Sequence, residues 1–503
     1  MSRMLNAARA NVVLGPIGAV LAATTSVLVA RWLGPDTYAD YAMLLAVLAW
    51  LLLLGEAGCN FGLQRYLADA GQVHARRRLY DVLQWRRWGV VLVLVVAVSA
   101  LGPVWAASLG LPSERWDRLT FGMVGVLAGV TLHAQLATSC LLAGFDHLRA
   151  MTTANVMTIL RAAALGSVCV YFREPVALVA ALLAAACIEA ALLHVWAVRE
   201  LHSERSPLPP GMANAAQRHG LVGLIDKITT AFTAAPFLLL VLAAFHGRAE
   251  LAMFAVATDV LQRVLAVVFL PISNLVIPML NDSRGDRERF VRQVERLGGL
   301  VTLVAAFAVA GLAAAIPAGF PLLFGAPYAG AVPIALMWLA PLFIEASIRM
   351  IWGHALLALD HRRWLLGFNV VAGISALLVV AAVAKADVLV AVAIVGTVRL
   401  AMAGGILVRA AHFGLLPAES RPLRVVAAAM VALTLSWLAQ SAAADAPPLL
   451  RLSLGLGIFA ATIAAALHLL PLLPKRSHEV LRQLAGRHGP LFLRLVPRYR
   501  AQG

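Results

Sequence analysis

The sequence predicts an all-α polytopic membrane protein of about fourteen transmembrane helices. Three observations carry that fold class. Of the 503 residues, 61% are hydrophobic and only 13% are charged, against about 25% charged in a soluble domain. Apolar runs longer than about 18 residues, the length that crosses a hydrocarbon core, recur along the whole chain. The connections between them are short, so no soluble domain is inserted.

The runs place helices at 11–32, 38–64, 88–109, 119–143, 150–171, 175–198, 219–243, 250–280, 297–318, 331–359, 364–384, 387–410, 422–440 and 448–473. The first follows MSRMLNAARA without a small-residue cleavage site, so it reads as a spanning helix and not a removed signal peptide. Pro271 and Pro278 interrupt the eighth run and Pro341 the tenth. A proline removes a backbone bond and bends a helix, which makes a static kink or a hinge. Cys59, Cys140, Cys169 and Cys187 fall inside apolar runs without metal-ligand spacing. No disulfide framework, metal or cofactor is expected.

The net charge of +16 would suggest nucleic acid in a soluble chain. Here it is a topology signal, and no nucleic-acid partner is expected. More than two thirds of the 41 Lys and Arg fall on one side of the runs, in segments such as 65–88 and 281–296 and in the tail from Lys475. The other side holds Arg31, Arg115, Arg118, Arg173, Arg248, Lys385 and Arg451. Basic residues mark the cytoplasmic side, so both termini are expected there. Lys occurs only at Lys227, Lys385 and Lys475, so the wealth of Arg says little by itself about guanidinium chemistry. The basic tail 475–503 reads as a solvated segment or one lying on anionic lipid.

An internal repeat divides the chain. LLAGFDHLRAMTTANV (141–156) and ALLALDHRRWLLGFNV (355–370) match at one constant offset. Leu142 pairs with Leu356, Asp146 with Asp360, His147 with His361, Arg149 with Arg363, Asn155 with Asn369 and Val156 with Val370. Asn60 and Asn274 share the offset. Six spans separate the copies, so the halves have the same orientation and the repeat is parallel. The expected organisation is a six-helix bundle at 1–200, a second at 215–412, two additional helices at 420–474 and the tail. A repeated membrane bundle implies a transporter with its site between the halves.

Charges within the runs are the candidate site, because an ionisable group at the bilayer centre costs about 2.5–3.5 kcal/mol and faces a bundle interior or a wet cavity. Asp259 and Arg263 on the eighth run, and Glu345 and Arg349 on the tenth, are spaced i, i+4 and share a helix face. Each is a structural ion pair or part of a substrate site. Arg161 and Arg399 have no acidic neighbour on their own helix and are expected to line a cavity. Asp226 and Lys227 lie near the cytoplasmic end of the seventh run, where Lys227 can snorkel. Glu56 and Glu189 are expected to be interfacial, and His133, His194 and His354 to be single structural histidines. The substrate-binding candidates are therefore Arg161, Arg263, Arg349, Arg399 and Lys227. Asp259, Glu345 and Asp226 are candidates to carry a coupling ion. The deep set is net basic, which suits a diphosphate or an acidic sugar.

The stretch VARWLGPDTYADYAMLLAVLAWLLLLGEAGCNFGLQRYLADAG (29–71) resembles the opening of bacterial polysaccharide flippases of the Wzx type. There an LGPxxYGxY turn joins the first two helices. Here the turn runs from Leu33 through Gly34, Pro35, Tyr38 and Asp40 to Tyr41, with Ala39 in place of the usual Gly. A degenerate echo, FHGRAELAMFAV (245–256), precedes the eighth run. The family is a branch of the superfamily that also holds multidrug extruders and lipid II flippases. The resemblance implies two six-helix bundles in a V around a cationic cavity. It also implies an undecaprenyl-diphosphate-linked oligosaccharide as substrate, with membrane lipids, a polymerase and chain-length proteins as partners. The first run lacks a charge before Arg31, unlike the lipid II flippases. That points to O-antigen, capsule or exopolysaccharide units.

Two rivals remain at this stage. A multidrug or cation antiporter would want an acidic cavity. A membrane-embedded polymerase or ligase would want a large periplasmic loop with catalytic Arg and His, and the outer loops here are short. No DxD cluster offers itself for a nucleotide sugar, so no enzyme is expected.

Overall fold

The computed structural model describes residues 2–72, 75–108, 116–143, 146–172, 174–201, 206–283, 285–359, 361–416 and 421–469. Among the described residues every regular element is helical. They are α1 (Ser2–Gly55), α2 (Cys59–Gln72), α3 (Arg76–Ser108), α4 (Arg118–Ala143), α5 (His147–Tyr171), α6 (Pro175–Glu200), α7 (Met212–Ala231), α8 (Ala235–Leu242), α9 (Arg248–Asp282), α10 (Arg287–Phe324), α11 (Ala331–Ile348), α12 (His354–Ala358), α13 (Arg362–Val383), α14 (Val388–His412), α15 (Arg421–Ala442) and α16 (Pro448–Leu469). A π turn, Arg349–Gly353, joins α11 to α12. The expected tail lies outside the described residues.

Among the described residues twelve helices are long and apolar enough to cross a membrane, or thirteen if α7 and α8, bent by 49° at their junction, form one span. α1 is itself two helices joined at Gly34, which raises the number by one and agrees with the sequence. Gly34 sits at φ 72, ψ 170, a region open to residues without a Cβ. Pro35 follows with its φ already fixed for the first turn of the next helix. This is the LGP turn of the motif. On α3, Leu92, Val93, Val96, Leu101 and Val104 are all more than 60% exposed. Helices satisfy their own backbone groups, so outward apolar faces of this kind are what lipid requires.

The chain forms two compact units, Met1–Pro271 with Leu366–Ala391, and Ile272–Leu365 with Val392–Gly503. In the first, α2, α3, α4 and α6 close a core around Leu63, Leu79, Tyr80, Leu83, Leu136, Cys140 and Leu193. In the second, Trp338, Phe343 and Ile351 are fully buried. There α15 docks on α10 by polar contacts: Trp437 Nε1 donates to the Ala313 carbonyl at 3.2 Å and Gln440 Nε2 to that of Ala314 at 2.9 Å.

Local structure departs from the sequence expectation in two ways. The basic segments 65–88 and 281–296 are largely helical. α3 begins at Arg76 and α10 at Arg287, the latter capped by Asp286, whose Oδ1 accepts from the Arg289 amide at 3.1 Å. Hydropathy reads only the apolar stretch and misses its charged extension. Arg87, placed by sequence in a loop, is 1% exposed and donates to Asn60 Oδ1 at 2.5 Å and to the Leu132 carbonyl. Second, the expected span 38–64 breaks between Gly55 and Cys59, with Ala57 and Gly58 at φ 48 and 73. At this break α2 crosses α7 at backbone contact. A Cβ on Gly220 would stand 1.7 Å from the Gly58 carbonyl oxygen. The span 219–243 breaks likewise between α7 and α8.

The repeated asparagines do equivalent work. Asn155 on α5 donates to the Leu14 carbonyl of α1 at 2.9 Å. Asn369 on α13 donates to Asp226 of α7. Each ties the fifth helix of its copy to the first. Asp146 caps α5 through the Arg149 amide; Asp360 lies outside the described residues, as does the side chain of Asn274.

Candidate functional site

The first unit holds a cavity of about 410 Å³ whose wall includes Arg161, Asp259, Gln262 and Arg263. Hydroxyl groups surround these: Tyr38 and Tyr41, Thr25 and Ser26, Thr131, Thr158 and Thr258. Leu48, Leu127, Leu165 and Leu239 supply apolar surface. The two tyrosines come from the motif. Starting the helix at Pro35 puts Tyr38 and Tyr41 one turn apart, with ring centroids 6.2 Å from each other.

Both cavity arginines are held by carboxylates. Arg263 Nε donates to Asp259 Oδ2 at 2.9 Å, the i, i+4 pair expected from sequence. Arg161 forms its ion pair with Glu189 across the α5–α6 interface. The Glu189 side chain is 11% exposed and that of Arg161 32%, so the carboxylate sits behind the guanidinium. Glu189 is therefore the counter-charge of Arg161. A guanidinium carries five N–H donors in a planar fork, more than one carboxylate takes up. The wall presents such donors beside hydroxyls and two aromatic rings. That combination holds phosphate oxygens bidentately and receives sugar hydroxyls.

Lys227 and Asp226 lie elsewhere in the same unit. Lys227 Nζ meets Glu56 Oε2 at 2.8 Å and stands 4.3 Å from the Phe61 ring centroid. Glu56 is buried, while the Lys227 side chain is 44% exposed, so the ammonium reaches the surface from a buried carboxylate. Asp226 accepts from Asn369. Neither Lys227 nor Asp226 is among the cavity-lining residues. Asp40, the acid of the turn motif, is fully buried and pairs with Arg248 of the echo at 3.5 Å.

The second unit gathers Glu345, Arg349 and Arg399. Glu345 accepts from Arg349 Nε at 2.8 Å, the other expected i, i+4 pair, and meets Arg399 Nε at 2.5 Å. Arg399 also lies over the Trp338 ring, 5.0 Å from its centroid, a favourable cation–π placement. Arg349 opens the π turn, an irregularity frequent at functional sites. One carboxylate between two guanidinium groups leaves this cluster with a net positive charge.

Of the expected residues, the structure brings Arg161, Arg263 and Asp259 to one cavity. It gathers Arg349, Arg399 and Glu345 in the other unit and leaves Lys227 and Asp226 in separate pairs. Sequence reasoning missed Tyr38, Tyr41 and Gln262. The tyrosines carried a signal in their i, i+3 spacing after the turn. The histidines are hydrogen-bonded, His354 to the Met350 carbonyl at 2.8 Å and the other two to each other. His133 bonds Gln84 at 2.6 Å and His194 at 3.2 Å, and Tyr80 reaches His194 at 3.3 Å.

Solved structures share this fold. The lipid II flippase MurJ in an inward closed conformation matches with TM-score 0.69 at 10% identity, over 89% of this chain and 96% of that one. An inward-facing multidrug resistance MATE family transporter of the MOP superfamily matches at 0.62 with 15% identity, over 79% and 95%. A MOP superfamily transporter from Pyrococcus furiosus, whose binding pocket is described as having reversed polarity, matches at 0.57 with 13% identity, over 80% and 94%. The fold is thus one that this chain shares with these multi-pass proteins. Residues 9–283, more than half of the chain, match the family described as polysaccharide biosynthesis protein, and the chain belongs to that family. The resemblance found in the turn motif holds. Among curated proteins no sequence matches significantly.

Proposed function

We propose that this protein flips an undecaprenyl-diphosphate-linked oligosaccharide from the cytoplasmic to the periplasmic leaflet of a bacterial inner membrane. Both termini face the cytoplasm, and the bundles 1–200 and 215–412 give alternating access to a basic cavity. The observation that carries the reading is the cavity wall, where Arg161 and Arg263 stand among Tyr38, Tyr41 and threonine hydroxyls. The guanidinium groups receive the diphosphate and the hydroxyls and rings the sugar, while the isoprenoid stays in lipid. Membership of a polysaccharide biosynthesis family supports the substrate class, and pathway polymerase and chain-length proteins are the natural partners. O-antigen, lipopolysaccharide and exopolysaccharide units all fit.

Transport is driven by a proton or by the membrane potential, with Asp259, Glu345 and Asp226 as the candidate ion carriers. Arg349, Arg399 and Lys227 extend the basic character beyond the cavity. A cation antiporter is disfavoured by the ion pairing, since both acids at the cavity arginines, Asp259 and Glu189, are already neutralised. The test is complementation of a bacterium lacking its polysaccharide flippase, at matched expression. Wild type restores surface polysaccharide, and Arg161→Ala and Arg399→Ala do not. Rescue by all three removes the arginines from the site. Rescue by none favours the antiporter or a polymerase.

A further inference from the structure

We propose that Glu189 is a built-in stand-in for the substrate's anion: the ligand displaces it from Arg161, and the released carboxylate takes up a proton. This rests on the reading of the cavity as a diphosphate site and assigns a role to a residue outside the transport candidates above.

The geometry supplies the argument. Arg161 lines the cavity, and Glu189 does not. Its carboxylate reaches Arg161 from α6. An empty cavity within a membrane cannot keep a bare guanidinium cheaply, and Glu189 satisfies it. An anion arriving from the cavity side competes for the same donors. Once Arg161 turns to the ligand, Glu189 is a buried carboxylate without its cation, a costly arrangement. A proton from solution onto one Glu189 oxygen removes that charge, and no other bond is made or broken. Among the described residues the ion pair of Glu189 is the one with Arg161 of α5. Tyr41 of α1 lies within electrostatic reach of Arg161, Cys169, Asp259 and Arg263, and the last two, on α9, form their own pair. His133 of α4 and His194 of α6 are engaged with Gln84 and Tyr80.

Two consequences follow. Affinity for the anion rises as pH falls, by up to about tenfold per pH unit for one linked proton. Removing the carboxylate's charge removes both the competition and the pH dependence. The experiment is calorimetric binding of a short-chain isoprenyl-diphosphate sugar, a diester with no ionisation of its own near neutrality, to the full-length protein in detergent. Mildly acidic and mildly alkaline buffers are compared for wild type, Glu189→Gln and, as an exposed carboxylate on α10 that does not line the cavity, Glu288→Gln. The proposal expects pH-dependent binding with proton uptake in wild type and Glu288→Gln. It expects tighter, pH-independent binding in Glu189→Gln. Proton uptake by wild type, read with a pH dye in weak buffer, tests the linkage without any variant. Binding to wild type without proton uptake overturns the proposal and leaves the transport reading intact. So does the same pH slope in Glu189→Gln. No binding to wild type at any pH overturns both.

Discussion

Glu345 and Asp259 illustrate how burial decides what an ion pair is worth. Glu345 serves two guanidinium groups and its side chain is 6% exposed, whereas Asp259 serves one and is 33% exposed. Removing a buried partner strands charge and costs about 3–5 kcal/mol, while an accessible pair contributes about 1 kcal/mol or less. Glu345→Ala is therefore expected to lower the unfolding temperature in detergent far more than Asp259→Asn. Equal losses would mean that the Glu345 cluster is not buried. Arg161 and Glu189 should couple in the same way, with a double-mutant cycle of Arg161→Ala and Glu189→Gln giving about 1–3 kcal/mol of interaction. At this scale the sequence was legible only along single helices. The Asp259–Arg263 and Glu345–Arg349 pairs follow from spacing alone. The partners of Arg161, Arg399 and Lys227 come from other helices, and no local pattern announces a contact made by packing.

The helices themselves were readable because lipid enforces long apolar runs. Their ends and breaks were not. Arg76–Arg87 and Arg287–Arg296 extend helices with charge, which hydropathy scores as loop. The break at Glu56–Gly58 hides inside an apolar stretch, and it matters because it lets α2 and α7 touch. Gly220→Ala, with its Cβ driven 1.7 Å from the Gly58 carbonyl oxygen, is expected to cost about 3 kcal/mol or to abolish folded expression. Gly89→Ala on α3 meets nothing within 4 Å and should stabilise by up to about 1 kcal/mol through helix propensity. Melting curves of the two variants in detergent check the contrast. Similar behaviour would argue against the close crossing. The turn at Gly34 and Pro35 was the one break that sequence located, because the left-handed glycine and the fixed proline angle leave a signature.

For the molecule as a whole, the span number and the repeat were visible in the sequence, and the bonds of Asn155 and Asn369 give the repeat a physical meaning. Sidedness rests on the distribution of Arg and Lys and predicts an asymmetry. In a background with Cys59, Cys140, Cys169 and Cys187 replaced, Arg289→Cys should react with an impermeant thiol reagent only from the cytoplasm and Lys385→Cys only from the periplasm. The reverse pattern would invert the topology. The cavity was half legible, since its charges lie in apolar runs while its hydroxyls and rings lie on ordinary helix faces. The central claim is translocation of a diphosphate-linked sugar past Arg161. Its most direct measurement places such a lipid in proteoliposomes and follows exposure of its glycan to an impermeant oxidant. The account predicts that vesicles with wild-type protein expose the inner-leaflet glycan over time and that Arg161→Ala vesicles do not. Exposure no greater than in protein-free vesicles would contradict it.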